Sequence, residues 1–213
     1  MKIAIIHGYA ADMEMGWLRP RLGYDAGFSA FRPLLDSGEA VMFRWGEHMS
    51  FSSIHYINPF THLQVYRSEK SKVVSDKLQR ELTAFLDKER PDTLVCHSMG
   101  SYLLVNYINK FGLPDCVRKV VFVQADIPVG MGITHPDIIK RVENKELSVY
   151  NYHCWWDITL VSSMIINGYV PLGLTRSRAG YVNNRFFPLN KKINLHMSSM
   201  NDRKLIELIT KSE

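Results

Sequence analysis

Residues 93–100 read Thr93-Leu94-Val95-Cys96-His97-Ser98-Met99-Gly100. An apolar, strand-like run ends in a serine. Small residues, Cys96 and Gly100, stand two positions to either side of it, and a helical apolar pattern follows from Tyr102. A turn this tight between strand and helix forces the serine into a strained backbone conformation, and bulky neighbours at minus two and plus two would clash. The strain lifts the Oγ clear of the sheet. It also aims the first amides of the next helix at the place where negative charge would collect. The layout is that of a nucleophile elbow, set against the plainer reading of an ordinary strand–turn–helix corner.

Strand and helix candidates alternate outward from this point, which predicts an α/β fold with a mostly parallel sheet of about six strands between two helical layers. Strands are expected at Ile3–His7, Ala40–Trp45, Thr93–Cys96, Lys119–Gln124, Ser148–Cys154 and Ile193–Leu195. The unbroken Val120-Val121-Phe122-Val123 run implies a strand buried on both faces. Helices are expected at Phe28–Asp36, Lys72–Glu89, Tyr102–Lys110, 135–147, Asp157–Asn167 and Asp202–Lys211, the last capped from Asn201. Within Lys72–Glu89, Val73, Val74, Leu78, Leu82, Phe85 and Leu86 form one stripe. Residues 46–70 and 169–190 read as irregular. No repeat, low-complexity tract or linker divides the chain, so residues 1–213 are read as a single domain.

Composition narrows the class. With 46% hydrophobic and 22% charged residues the chain is ordinary for a soluble globular protein. No apolar run reaches about 18 residues, so no membrane span is expected, and the opening strand is too short to act as a signal peptide. Cys96, Cys116 and Cys154 are odd in number and widely spaced, which suits free thiols in the cytoplasm. The net charge of +5 is mild and dispersed. Its densest stretch, Arg176, Arg178, Arg185, Lys191 and Lys192, reads either as a solvated loop or as a rim attracting an anion. No nucleic-acid motif accompanies it, and nothing in the sequence fixes the oligomeric state.

The ordered features resemble the α/β-hydrolase fold family over nearly the whole length. His7-Gly8-Tyr9-Ala10 after the first strand is similar to the family's His-Gly oxyanion loop, and Cys96-His97-Ser98-Met99-Gly100 to its Gly-x-Ser-x-Gly elbow. An aspartate, Asp157, follows the fifth strand in Cys154-Trp155-Trp156-Asp157. A histidine, His196, follows the last strand in Asn194-Leu195-His196-Met197. Two departures stand out. Cys96 replaces the first glycine of the elbow, and the chain begins at what would be the family's third strand. The resemblance therefore implies an α/β-hydrolase fold lacking its first two strands, without a large cap domain between Gln124 and Ser148.

The resemblance also implies a chemistry. Ser98 would be the nucleophile, His196 the general base and then acid, and Asp157 the orienting carboxylate, with the backbone amides of Tyr9 and Met99 as the oxyanion hole. Asp126 is the alternative acid, against a reading as a turn or cap residue. Trp155 and Trp156 are pocket candidates, against a reading as cover for the sheet. Of the eight histidines, His97 is expected to pack away from the site and His7 to support its loop. His48, His55 and His62 are spaced by seven, but Asn58-Pro59 breaks any helix joining them, so no metal is expected. No glycine-rich dinucleotide loop is present and no cofactor is implied. The expected activity is ester hydrolysis on a small-molecule acyl substrate. A thioesterase, an amidase or peptidase with the same triad, or a non-catalytic binding protein of the same fold are the alternatives.

Overall fold

The computed structural model describes residues 1–8, 28–45, 59–188 and 196–211. Its centre is a six-stranded sheet, all parallel, with strands β1 Ile3–Ile6, β2 Ala40–Phe43, β3 Thr93–His97, β4 Lys119–Val123, β5 Ser148–His153 and β6 Val182–Phe186 in the order β2-β1-β3-β4-β5-β6. The order reverses direction at β1, whose two neighbours β2 and β3 lie on opposite sides. Open α/β sheets hold ligands beside such a reversal, outside the carboxyl ends of the strands.

The sheet is covered on both faces because its strands are apolar on both. Ala4, Ile6, Leu94, Cys96, Val120 and Phe122 join one core, while Ile3, Ile5, Val95, Val121 and Val123 join the other. The helices are α1 Arg32–Asp36, α2 Pro59–Val73, α3 Asp76–Glu89, α4 Met99–Phe111, α5 Pro136–Glu143, α6 Ile158–Asn167 and α7 Arg203–Thr210. Leu78, Leu82 and Leu86 of α3 and Leu103, Leu104 and Ile108 of α4 fill the first core. Phe28, Phe31 and, from α7, Leu205 and Ile209 fill the second. The result is a three-layer α/β/α architecture.

Four expectations need correction. The segment read as irregular over 46–70 contains helix α2 from Pro59 onward, while residues 46–58 lie outside the described residues. The single helix over Lys72–Glu89 is two. The Ser75 side chain accepts from the Leu78 amide and starts α3 afresh, leaving Val74 exposed rather than on the apolar stripe. The sixth strand lies at Val182–Phe186, inside the stretch read as irregular. It is an edge strand with a polar Asn183-Asn184-Arg185 centre, so it lacks the apolar pattern that would reveal it. Ile193–Leu195 lies outside the described residues. Helix α7 is capped by Asp202, which accepts from the Lys204 amide, whereas Asn201 takes the amide and hydroxyl of Ser29.

Candidate active site

Ser98 joins β3 to α4 with φ 53° and ψ −127°, a conformation that costs a non-glycine residue on the order of 1–3 kcal/mol. Close packing holds it there. Its amide donates to the Val123 carbonyl of β4, and its carbonyl accepts from the amides of Ser101 and Asp126. A Cβ on Gly100 would sit 2.4 Å from the carbonyl oxygens of Ile6 and His7, and one on Gly8 would sit 2.6 Å from the Ser98 Cβ. The two glycines therefore let β1 and its following loop close onto the elbow. The Ser98 side chain makes no capping hydrogen bond to α4, so its hydroxyl is not spent on the helix. Met99 is the first residue of α4, and its amide belongs to the set that an α-helix leaves without an internal partner. Tyr9, expected to offer the second oxyanion amide, lies outside the described residues.

His7 stabilises the adjoining loop. Its Nδ1 donates to the Gly8 carbonyl at 2.7 Å, its Nε2 accepts from the Trp45 amide, and its ring stacks on Trp45. The indole Nε1 returns a hydrogen bond to the His7 carbonyl, so the ends of β1 and β2 are tied together beside Ser98.

Asp157 and His196 meet across the site. Asp157 follows β5 and is fully buried, and it serves α6 as its N-cap: Oδ1 accepts from the Leu160 amide and Oδ2 from His196 Nδ1 at 2.6 Å. A carboxylate can only accept there, so Nδ1 carries a proton, and in the neutral ring the lone pair is then on Nε2. Nε2 is buried and has no hydrogen-bond partner among the described residues. Burial by itself would push the Asp157 carboxyl up. The opposing charge of His196, its hydrogen bond and the Leu160 amide outweigh burial and hold the carboxyl below its usual range.

His97 corrects the expectation that it packs away from the site. Its ring lies 4.6 Å from that of His196, and its Nε2 bonds to the His196 main-chain carbonyl at 3.1 Å. Burial, with the adjacent His196, lowers its pKa to about 3, so the ring is neutral at pH 7 and Nε2 is the protonated nitrogen. Two further supports carry no sequence signal. Gln124, at φ 41° just past β4, accepts from the Ser199 hydroxyl in the turn after His196. Gly173 passes so close to Gln124 and Ala125 that a Cβ would lie 2.4 Å from the Gln124 carbonyl carbon.

Asp126 is not beside His196. Its backbone amide meets Ser98, but its carboxylate faces the other way and accepts from Tyr66, Ser163 and Tyr169 at 2.7, 2.6 and 3.1 Å. Those bonds join α2, α6 and the loop beyond α6. Burial, then the Asp126 charge, raises the pKa of both tyrosines, so they remain donors. The turn-forming reading of Asp126 gains a structural role as a hub. The tryptophans separate: Trp155 is two-thirds exposed, while Trp156 is partly buried edge-on to both Trp155 and Phe186. Cys96, Cys116 and Cys154 form no disulfide among the described residues.

No family model, curated protein or solved structure matches the chain. Among the described residues no helix is long and apolar enough to cross a membrane.

Proposed function

We propose that the protein is a serine hydrolase of the α/β-hydrolase type that cleaves a carboxylic ester. The observation that carries this reading is the Asp157–His196 hydrogen bond, which fixes the imidazole tautomer and leaves a buried, unpartnered Nε2 lone pair. A buried nitrogen with no donor against it among the described residues suits a base awaiting a hydroxyl proton. The strained Ser98, with its hydroxyl free of capping duty, is the nucleophile of this reading; no hydrogen bond joins its hydroxyl to His196 Nε2 in this structure.

In the proposed cycle Ser98 Oγ attacks the ester carbonyl carbon while His196 Nε2 takes the hydroxyl proton. Negative charge on the carbonyl oxygen is met by the Met99 amide, with the Tyr9 amide as the second donor. The C–O bond to the alcohol breaks, and His196 returns the proton to the departing oxygen. Water, deprotonated by His196, then attacks the acyl carbon; the bond to Ser98 Oγ breaks, His196 returns the proton to Oγ, and the acid leaves. Asp157 stays ionised throughout and stabilises the imidazolium, in keeping with its lowered pKa. No cofactor is needed. Three cysteines that form no disulfide among the described residues suit a cytoplasmic setting.

Turnover of p-nitrophenyl acetate, butyrate and octanoate by the wild type and by Ser98→Ala tests the reading. Hydrolysis that disappears in the variant supports it. A wild type inert toward these esters, thioesters and amides alike would favour a non-catalytic binding protein.

A further inference from the structure

Helix α6 buries Leu160 and Ser163 and leaves three isoleucines in solvent, beside Thr159 and Ser162. Ser163 and Asn167 point to the Asp126 hub, with Ser163 Oγ donating to the carboxylate and Asn167 Nδ2 donating to the Tyr66 hydroxyl. On the other side Ile158 and Ile165 are 63% and 77% exposed, and Ile166 is exposed beside them. No charged residue occurs from Ile158 to Leu174. A surface helix in water ordinarily turns its large apolar residues toward the core.

The apolar face does not stop at the helix. One turn before Ile158 stands Trp155, 67% exposed, edge-on to Trp156, which in turn meets the exposed Phe186 of β6 at 5.3 Å. The margin is basic. Arg176 and Arg178 are exposed, and Arg176 acts on His153, whose ring lies 5.9 Å from Phe186. Between Glu146 and Asp202 the only carboxylate in the sequence is Asp157, which is fully buried.

We propose that this face docks on an anionic lipid surface, with Trp155 and the isoleucines of α6 entering the interface and the arginines meeting lipid headgroups. Isoleucine and tryptophan beside arginine is the composition that partitions at a bilayer boundary. The outward isoleucines provide no directional hydrogen bonds for a protein partner to read. A two-fold pairing of this face with itself would bring the same arginine margins together without carboxylates to offset them. The inference concerns binding and stands apart from the chemistry of Ser98.

Flotation of the full chain with phosphatidylcholine vesicles, with and without phosphatidylserine, tests it, because no turnover is required. Wild type and Ser98→Ala are expected to float with the phosphatidylserine vesicles and much less with phosphatidylcholine alone. Trp155→Ser and Ile165→Ser, both at exposed positions, should each weaken binding by about tenfold while the melting temperature holds. Arg176→Gln with Arg178→Gln should remove the preference for anionic lipid. Failure of the wild type to float with anionic vesicles, or flotation equal in wild type and Ile165→Ser, would overturn the proposal. So would light scattering in which wild type is a dimer and Ile165→Ser a monomer, since the face would then be a self-interface.

Discussion

His97 donates its Nε2 hydrogen to the main-chain carbonyl of His196 across 3.1 Å, and the two imidazoles lie 4.6 Å apart. The residue before the candidate nucleophile thus holds the candidate base by its backbone. The end of β3 and a loop distant in sequence are coupled through one buried hydrogen bond. Leaving a buried acceptor without its donor costs about 1–3 kcal/mol, which sets the scale of this coupling.

His97→Phe should lower kcat by about tenfold or more with little change in KM, because the base is displaced while substrate contacts persist. His97→Gln, whose Nε2 can replace the lost donor, should recover most of the rate. Steady-state kinetics on the best ester, read beside the melting temperature, separate this from simple destabilisation. Equal loss in both variants would reduce His97 to packing.

Acid should destabilise the fold in two stages. His97 has an ordinary pKa of 6.5 and a folded value of about 3, so between these limits the unfolded chain binds the extra proton and stability falls as pH falls. Asp157 works at lower pH: its folded pKa lies below the ordinary 3.8, so its contribution is complete above that value and fades as pH drops through the folded one. Melting curves between pH 7 and pH 3 should show a shallower decline for His97→Gln than for wild type. Identical slopes would contradict the buried neutral assignment of His97.

The two aspartates should part company. Asp157→Asn is expected to cut kcat on the order of 1000-fold or more, since the imidazole loses the anion that orients and stabilises it. Asp126→Asn leaves His196 untouched but weakens three hydrogen bonds, so it should lower stability by about 1–3 kcal/mol and spare most of the activity of the folded protein. A denaturant titration alongside kinetics on both variants distinguishes them. Full inactivation of folded Asp126→Asn would return that residue to candidacy as the acid.

Glycine at position 98 should stabilise. Ser98 holds φ 53°, and glycine relieves that strain at a smaller entropic cost, so Ser98→Gly should raise the melting temperature by about 2–4 °C relative to Ser98→Ala. Gly100→Ala should do the opposite and lose about 1–3 kcal/mol, because its Cβ would press on two backbone carbonyls of β1 and the following residue. Calorimetry of the three variants reads both effects.

The parts of the molecule that announce themselves in sequence are those governed by local rules. The strand cores, the small residues around Ser98 and the Asp157 position at the head of a helix all follow from periodicity, clash and capping. What escaped is set by distant contacts or by polar edges. Val182–Phe186 pairs with β5 through main-chain bonds, and its asparagines hide the strand. The Ser75 break is written in a capping residue that the continuous leucine stripe masks. The roles of His97 and Asp126 depend on which way a side chain turns at a strand end, and adjacent residues there face opposite sides of the sheet. The Gln124–Ser199 contact joins residues far apart in the chain and leaves no pattern in either segment.

The central claim is that Ser98 is an activated nucleophile. Intact mass and peptide mapping after incubation with a fluorophosphonate test it most directly. The account predicts one adduct, on Ser98, absent in Ser98→Ala and strongly slowed in His196→Ala. Folded wild-type protein that takes up no label, or an adduct mapped to any other residue and retained in Ser98→Ala, would contradict it.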